Sequence, residues 1–179
     1  MNRPAATLFF TLLPILSSPP ASAFEATDLA RLLDSGRCVR CDLRGADLSG
    51  RRLTGVSLAG SDLRGTDLSG SNLRYADLTG ADLGQARLDG ADLSGARLRG
   101  ARLFGVDLTE TRLAGADLRD ADLRHLEVDL ALEFLDLTGV LLEGARFRDG
   151  VRCAGLPEKG GWGCAAGGGD RATPAERSR

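Results

Sequence analysis

Residues 76–100 read A-D-L-T-G, A-D-L-G-Q, A-R-L-D-G, A-D-L-S-G, A-R-L-R-G. A leucine stands at the centre of each block, and the beat continues outward in both directions. From Leu43 a leucine recurs at every fifth position without a gap as far as Leu123. Leu43, Leu48, Leu63, Leu68, Leu83, Leu88, Leu103, Leu108 and Leu123 mark this ladder, which is the expected core. Two positions before nearly every leucine stands a small residue, as at Ala46, Ala76, Ala81 and Ala91; two positions after it there is usually glycine. A five-residue period suits neither regular structure. On a helix, at about 100° per residue, successive leucines would scatter around the cylinder. On one straight strand the odd spacing would send alternate leucines to opposite faces. A chain that turns once per block buries them all, with glycine at a corner where φ is positive. Such coils stack at about 4.8 Å with backbone hydrogen bonds between them.

The unit Ala46-Asp47-Leu48-Ser49-Gly50, repeated from Cys41 to about Arg148, resembles the pentapeptide-repeat family. The resemblance implies an all-β fold, a right-handed quadrilateral β-helix of about 5 to 6 coils with four repeats per coil. It also implies that the leucine and the small residue two before it face inward while the other three face out. Arg51 occupies one of the small inward positions, in the first coil, and is expected to snorkel out of the open end. The beat slips once: after Val128 the next centre is Leu132, then Leu137, Leu142 and Phe147. That spacing reads as one residue lost near Asp129, and the apolar run Leu126 to Phe134 predicts a wider corner or bulge there.

The ends read differently. Residues 1–23 have the pattern of a signal peptide: a positive start to Arg3, an apolar stretch from Ala6 to Leu16, and Ala21-Ser22-Ala23 as a small-x-small cleavage site. The apolar stretch is too short for an anchoring helix, which needs about 20 residues. The mature chain would begin at Phe24 in an oxidising compartment, periplasmic or secreted. Residues 24–40 form a capping helix and entry: Thr27 is a candidate N-cap, Leu29, Leu32 and Leu33 share a face, and Gly36 can end the helix. Such a cap hides the unpaired edge of the first coil. The repeats then occupy 41–150, a cysteine-bounded glycine-rich loop 151–164, and a polar, disordered tail 165–179. Cys153 and Cys164 are expected to form a disulfide, because the compartment is oxidising and the enclosed loop is short, and the segment resembles a recurrent ending of the family. Cys38 takes a leucine position and Cys41 a small inward one; this C-x-x-C reads as a disulfide, a redox pair or two buried thiols. Trp162 reads as a cover over the last coil or, alternatively, as part of a contact patch.

Chemistry is harder to find. The net charge of −2 offers no basic surface for nucleic acid. The pairs of cysteines at the two ends of the repeats lie about 25 Å apart along stacked coils, too far for one zinc site. His125, at an outward corner, reads as a solvated surface residue. With four repeats per coil, Asp42, Asp62 and Asp82 form one column and Asp47 and Asp67 another; Arg44 and Arg64 beside the first, and Arg102 within it, point to charge compensation rather than cation binding. No catalytic, cofactor or metal residues are assigned. The reading is an exported, non-enzymatic scaffold or interaction module with an unidentified protein partner, and no membrane contact after signal cleavage. Two alternatives stand beside it. Some members of the family mimic DNA to regulate gyrase, but the repeat body 41–149, with 19 acidic and 14 basic residues, is only mildly acidic and carries both signs on every face. The other is a thiol-redox protein using Cys38 and Cys41.

Overall fold

A computed structural model describes residues 26–125, 137–146, 152–153 and 164–165. The signal segment, the apolar run Leu126–Phe134 with Leu132, the centre at Phe147, and Trp162 lie outside these residues, as does the tail beyond Ala165. Residues 26–35 form helix α1, Ala26–Ser35. It begins at Ala26, so Thr27 lies inside the first turn rather than capping it. Gly36, with φ of 66°, closes the helix, its N–H donating to Leu32 O. Leu32 is fully buried against the first coil and Leu29 packs beside it, but Leu33 is 45% exposed. The helix therefore presents a narrower apolar stripe than the three leucines suggest.

Beyond α1 the chain winds in coils of twenty residues, visible as parallel one-residue bridges between position i and i+20. Arg37, Ser57, Asp77, Arg97 and Asp117 pair in succession down one side, and Asp42, Asp62, Asp82, Arg102 and Asp122 down the next. Asp47, Asp67, Arg87 and Asp107 make the third side, and Arg52, Asn72, Asp92 and Arg112 the fourth. Each coil thus has four sides and four turns, joined by single bridged residues instead of extended strands. The repeat Ser61–Gly65 shows why this backbone is stable. Ser61 N–H closes the preceding turn on Leu58 O, Asp62 N–H donates back to Cys41 O, and Leu63 and Gly65 N–H donate forward to Asp82 O and Gly84 O, all within 2.7–3.1 Å. Buried backbone groups are matched without any long strand.

The corner residue has φ near +60°. Gly45, at 66°, is typical, and Arg40, Tyr75, Gln85, Glu110, Asp120 and His125 adopt the same conformation at 57–59° despite their side chains. At Gly95 a second reason for glycine appears: a Cβ there would stand 2.6 Å from the ring carbons of Tyr75.

Inside the coils the leucines from Leu43 to Leu123 are at most 3% exposed. Each stacks on its counterparts in the coils before and after, and burial contributes about 1.5–3 kcal/mol per side chain before chain entropy is subtracted. The small inward positions hold alanine or valine, and four hold hydroxyls. Ser61 donates to Cys38 O, Thr66 to Leu43 O and Thr111 to Leu88 O, while the buried Ser71 hydroxyl has no partner. Arg51 keeps the backbone bonds of an inward position, to Leu48 O and from Asn72 N–H, but is exposed.

The slip in the beat is an enlargement of the coil, which corrects the reading of a lost residue. Asp117 pairs with Leu141 and Asp122 with Arg146, so this coil holds 24 residues in place of 20. Four added residues and one deleted residue shift a five-residue beat identically, so leucine spacing could not tell them apart. After the last described coil, β1, Arg152–Cys153, pairs antiparallel with β2, Cys164–Ala165. Ala165, assigned to the tail by the sequence, belongs to this pair.

Truncation in the middle of the ladder tests the packing. Leu83→Ala is expected to lower unfolding free energy by about 2–5 kcal/mol, whereas Leu33→Ala on the exposed side of α1 should change it little; urea unfolding of both variants checks this.

Candidate interaction faces

Besides the corner residue, outward side chains sit two to a repeat, just before and just after each leucine, and an aspartate in the first of these places has a backbone task. In Ser61–Gly65 one N–H is left over, that of Arg64, and it donates to Asp62 Oδ1 at 3.2 Å. The same bond recurs from Ser49 to Asp47, Ser69 to Asp67, Ser94 to Asp92, Thr109 to Asp107 and Arg119 to Asp117, at 2.8–3.2 Å. Asn72 does the same for Arg74 through its amide oxygen. Aspartate thus supplies the acceptor that the stacked coils lack, as Asx turns do elsewhere. The signal was present in the sequence as an aspartate two residues ahead of the fifth donor.

These carboxylates are held ionised and oriented. Arg44, Arg64, Arg119 and Arg124 each grip the aspartate two residues before them with two bonds of 2.6–2.8 Å. The guanidinium bond is the main cause holding Asp42, Asp62, Asp117 and Asp122 below the usual carboxylate range. For Asp47, Asp67 and Asp107 the cause is the hydroxyl of Ser49, Ser69 or Thr109, followed by the backbone N–H.

Sorted by side, the charges are uneven. Among the described residues, the side of Asp47, Asp67 and Asp107 also carries Asp89 and Glu110, against the single cation Arg87. Arg87 bridges Asp67 and Asp89 at 3.1 and 3.4 Å. The adjoining side carries Arg51, Arg52, Arg74 and Arg112 against Asp92. On each of the other two sides the described residues are close to balance, five arginines against four carboxylates. Both signs do occur on every side, but an acidic strip and a basic strip run along neighbouring faces of the rod. Asp42, Asp62 and Asp82 share one column and Asp47 and Asp67 another; Arg44 and Arg64 neutralise the former pair by pair, and Arg102 stands 3.6 Å from Asp82.

The other singled-out residues occupy the ends. Cys38 and Cys41 are joined by a disulfide, with both residues buried. Asp28 lies beside them, receiving the Asp42 N–H at 2.9 Å and pairing with Arg31 at 3.2 Å. Asp28, Cys38 and Cys41 are the one group among the described residues close enough to share a metal, but sulfurs bonded to each other present no thiolate. His125 is exposed at its corner, its ring 4.9 Å from that of Phe104. At the far end the backbone register sets Cys153 opposite Cys164.

The family model for pentapeptide repeats matches in eight copies that together span residues 37–127 of the 179. No curated protein matches. Among solved structures, a pentapeptide repeat protein of the Arabidopsis thaliana thylakoid lumen is 34% identical over 58% of this chain and 66% of its own, with a TM-score of 0.45. Rfr23 of the cyanobacterium Cyanothece 51142 is 25% identical over 68% of this chain and 93% of its own, at 0.35. The plasmid-mediated fluoroquinolone resistance protein QnrB1 is 20% identical over 56% of this chain and 57% of its own, at 0.34. This chain thus spans under two thirds of the thylakoid and resistance proteins.

The two tasks of the aspartate separate by substitution. Asp62→Asn keeps the acceptor and should retain most stability at neutral pH, whereas Asp62→Ala loses it and should cost about 0.5–1.5 kcal/mol. Folded-state pKa values below the unfolded value of about 3.9 contribute stability that is present above that pH and lost as pH falls through the folded values. Melting temperature should therefore be level from neutral pH to about 5 and fall below about 4, with a shallower fall in Asp62→Asn; thermal melts across pH measure both effects.

Proposed function

The chain belongs to the pentapeptide-repeat family, and from that premise we propose that it is an exported, non-enzymatic scaffold whose flat faces hold a protein partner. In this reading the coil is the family's right-handed quadrilateral β-helix, signal cleavage exposes Phe24, and a second disulfide, Cys153 with Cys164, fastens the far end. The observation that carries the proposal is the acidic strip of Asp47, Asp67, Asp89, Asp107 and Glu110. Asp47 and Asp67 stand on successive rungs and Asp107 two rungs on, past Arg87, and these three are fixed by hydroxyl and backbone donors. Preorganised charge of this kind favours association with a complementary basic protein surface, because little ordering is needed on binding.

Two other readings draw less support. A DNA mimic requires negative charge around the rod, and the neighbouring basic strip opposes that. Thiol exchange requires an accessible sulfur, and Cys38 and Cys41 are buried. Antiparallel partners have Cα atoms about 4.5–5.5 Å apart, within the span a disulfide bridges, which supports the pairing of Cys153 with Cys164.

In-cell crosslinking with mass spectrometry tests the scaffold. It should join a basic protein to the acidic side, and the triple variant Asp47→Asn, Asp67→Asn, Asp107→Asn, which keeps every turn acceptor, should lose that product. Retention of the product in the triple variant, or protection of gyrase by the purified protein in a supercoiling assay, would refute it. Intact mass of the exported protein should begin at Phe24 and show two disulfides; free thiols at Cys153 and Cys164, or an uncleaved leader, would count against those parts.

A further inference from the structure

On the side defined by Asp42, Asp62, Asp82, Arg102 and Asp122, the residues two positions on form a column: Arg44, Arg64, Gly84, Phe104, Arg124. Gly84 interrupts it. Its φ lies outside the left-handed region, so its backbone does not require glycine. The next residue, Gln85, has φ of 58°, at a corner where Gly45, Gly65 and Gly105 occupy the equivalent places. The usual assignment is inverted: glycine stands where the backbone suits a side chain, whose Cβ would lie 3.2 Å from the movable Asp82 carboxylate, and glutamine where glycine would be preferred. The missing side chain leaves an open cavity of about 300 Å³, within the range of small-ligand pockets.

Its lining is chemically specific. Gly84 is buried and forms the floor. Arg64 and Phe104 bound the gap from the rungs before and after; those rungs are ~9.6 Å apart at ~4.8 Å per rung. One planar group touching both needs two contacts of ~3.5–4 Å, so a single ring fits. Phe104 is 46% exposed and is braced by His125. Three arginines and two aspartates line the cavity, an excess of one positive charge. Arg64 and Arg124 are each held by a doubly bonded aspartate. Arg102 differs: its side chain is 70% exposed, and its nearest carboxylate among the described residues, on Asp82, is 3.6 Å away, beyond hydrogen-bond reach.

We propose that this notch is a binding site for an aromatic carboxylate, the ring held between Arg64 and Phe104, the carboxylate on Arg102 and a further hydrogen bond from the Gln85 amide. Arginine binds carboxylates in two-pronged fashion and stacks on flat groups, so both halves of the ligand find a partner. The site stands whether or not the acidic strip holds a protein. The same chemistry is offered by a free aromatic acid and by the C-terminal residue of a peptide ending in phenylalanine.

Amide NMR titrations of the exported protein distinguish these sources, with benzoate as the free acid, N-acetylphenylalanine as the peptide end and benzamide as the uncharged control. At least one acid should give saturable shifts centred on Gly84, Gln85 and Gly105, and the tighter of the two identifies the source. Benzamide should bind at least roughly tenfold more weakly, as should benzoate to Arg102→Gln. Gly84→Arg restores the arginine column and should abolish binding. The variant should fold, because Arg64 makes the same N–H bond to its aspartate with a side chain present. Absence of saturable shifts with either acid, equal binding of benzamide, or unchanged binding to Gly84→Arg would overturn the proposal.

Discussion

Every repeat must bury one leucine while matching the backbone donors that this burial takes from water, and this double requirement shapes the whole molecule. A turn every five residues brings the leucines to one axis, but it also cuts the strand to a single bridged residue on each side. Four donors per repeat find carbonyls in the same turn or in the adjacent coils. Where aspartate or asparagine precedes the leucine it meets the fifth, as Asp62 does for Arg64, Asp47 for Ser49 and Asn72 for Arg74. The consensus letters thus follow from one geometry: alanine because the inward corner is narrow, aspartate because a donor is left over, leucine for the core, and glycine for a corner with positive φ.

Much of this was readable from the spacing of the leucines. The fate of the ladder from Leu43 to Leu123 follows from the beat, because no helix or straight strand can bury it. Size of the coil is a different matter. Periodicity is blind to whole multiples of five, so only the family resemblance suggested twenty residues per coil, and the change near Asp129 could not be recognised as four residues gained. Aspartate was read as surface charge because its acceptor task depends on which donors the adjacent coils leave unmatched. The uneven charge of the faces was hidden for a related reason: signs that alternate along the chain separate only when sorted at a spacing of twenty. Leu33, assigned to the buried side of α1, is turned outward because only Leu32, with Leu29 beside it, reaches the first coil.

The same regularity makes departures informative. Corners with a side chain at positive φ are costly, so Tyr75, Gln85 and His125 mark places where the surface differs from the repeat. Tyr75 covers the next corner at Gly95, with Arg74 lying 5.4 Å over its ring. Gln85 adjoins the notch at Gly84, and His125 braces Phe104 on its far side. Function in such a rod resides in what its faces display, and the core serves to hold those displays at fixed spacing.

Methyl-resolved NMR with assigned leucines tests the coil most directly. Leu63 should show methyl contacts to Leu43 and Leu83, twenty positions away in each direction, and Leu118 to Leu142, across the coil enlarged by four residues. A different constant spacing, such as Leu63 stacked on Leu78, would contradict the four-sided coil and every face assignment built on it.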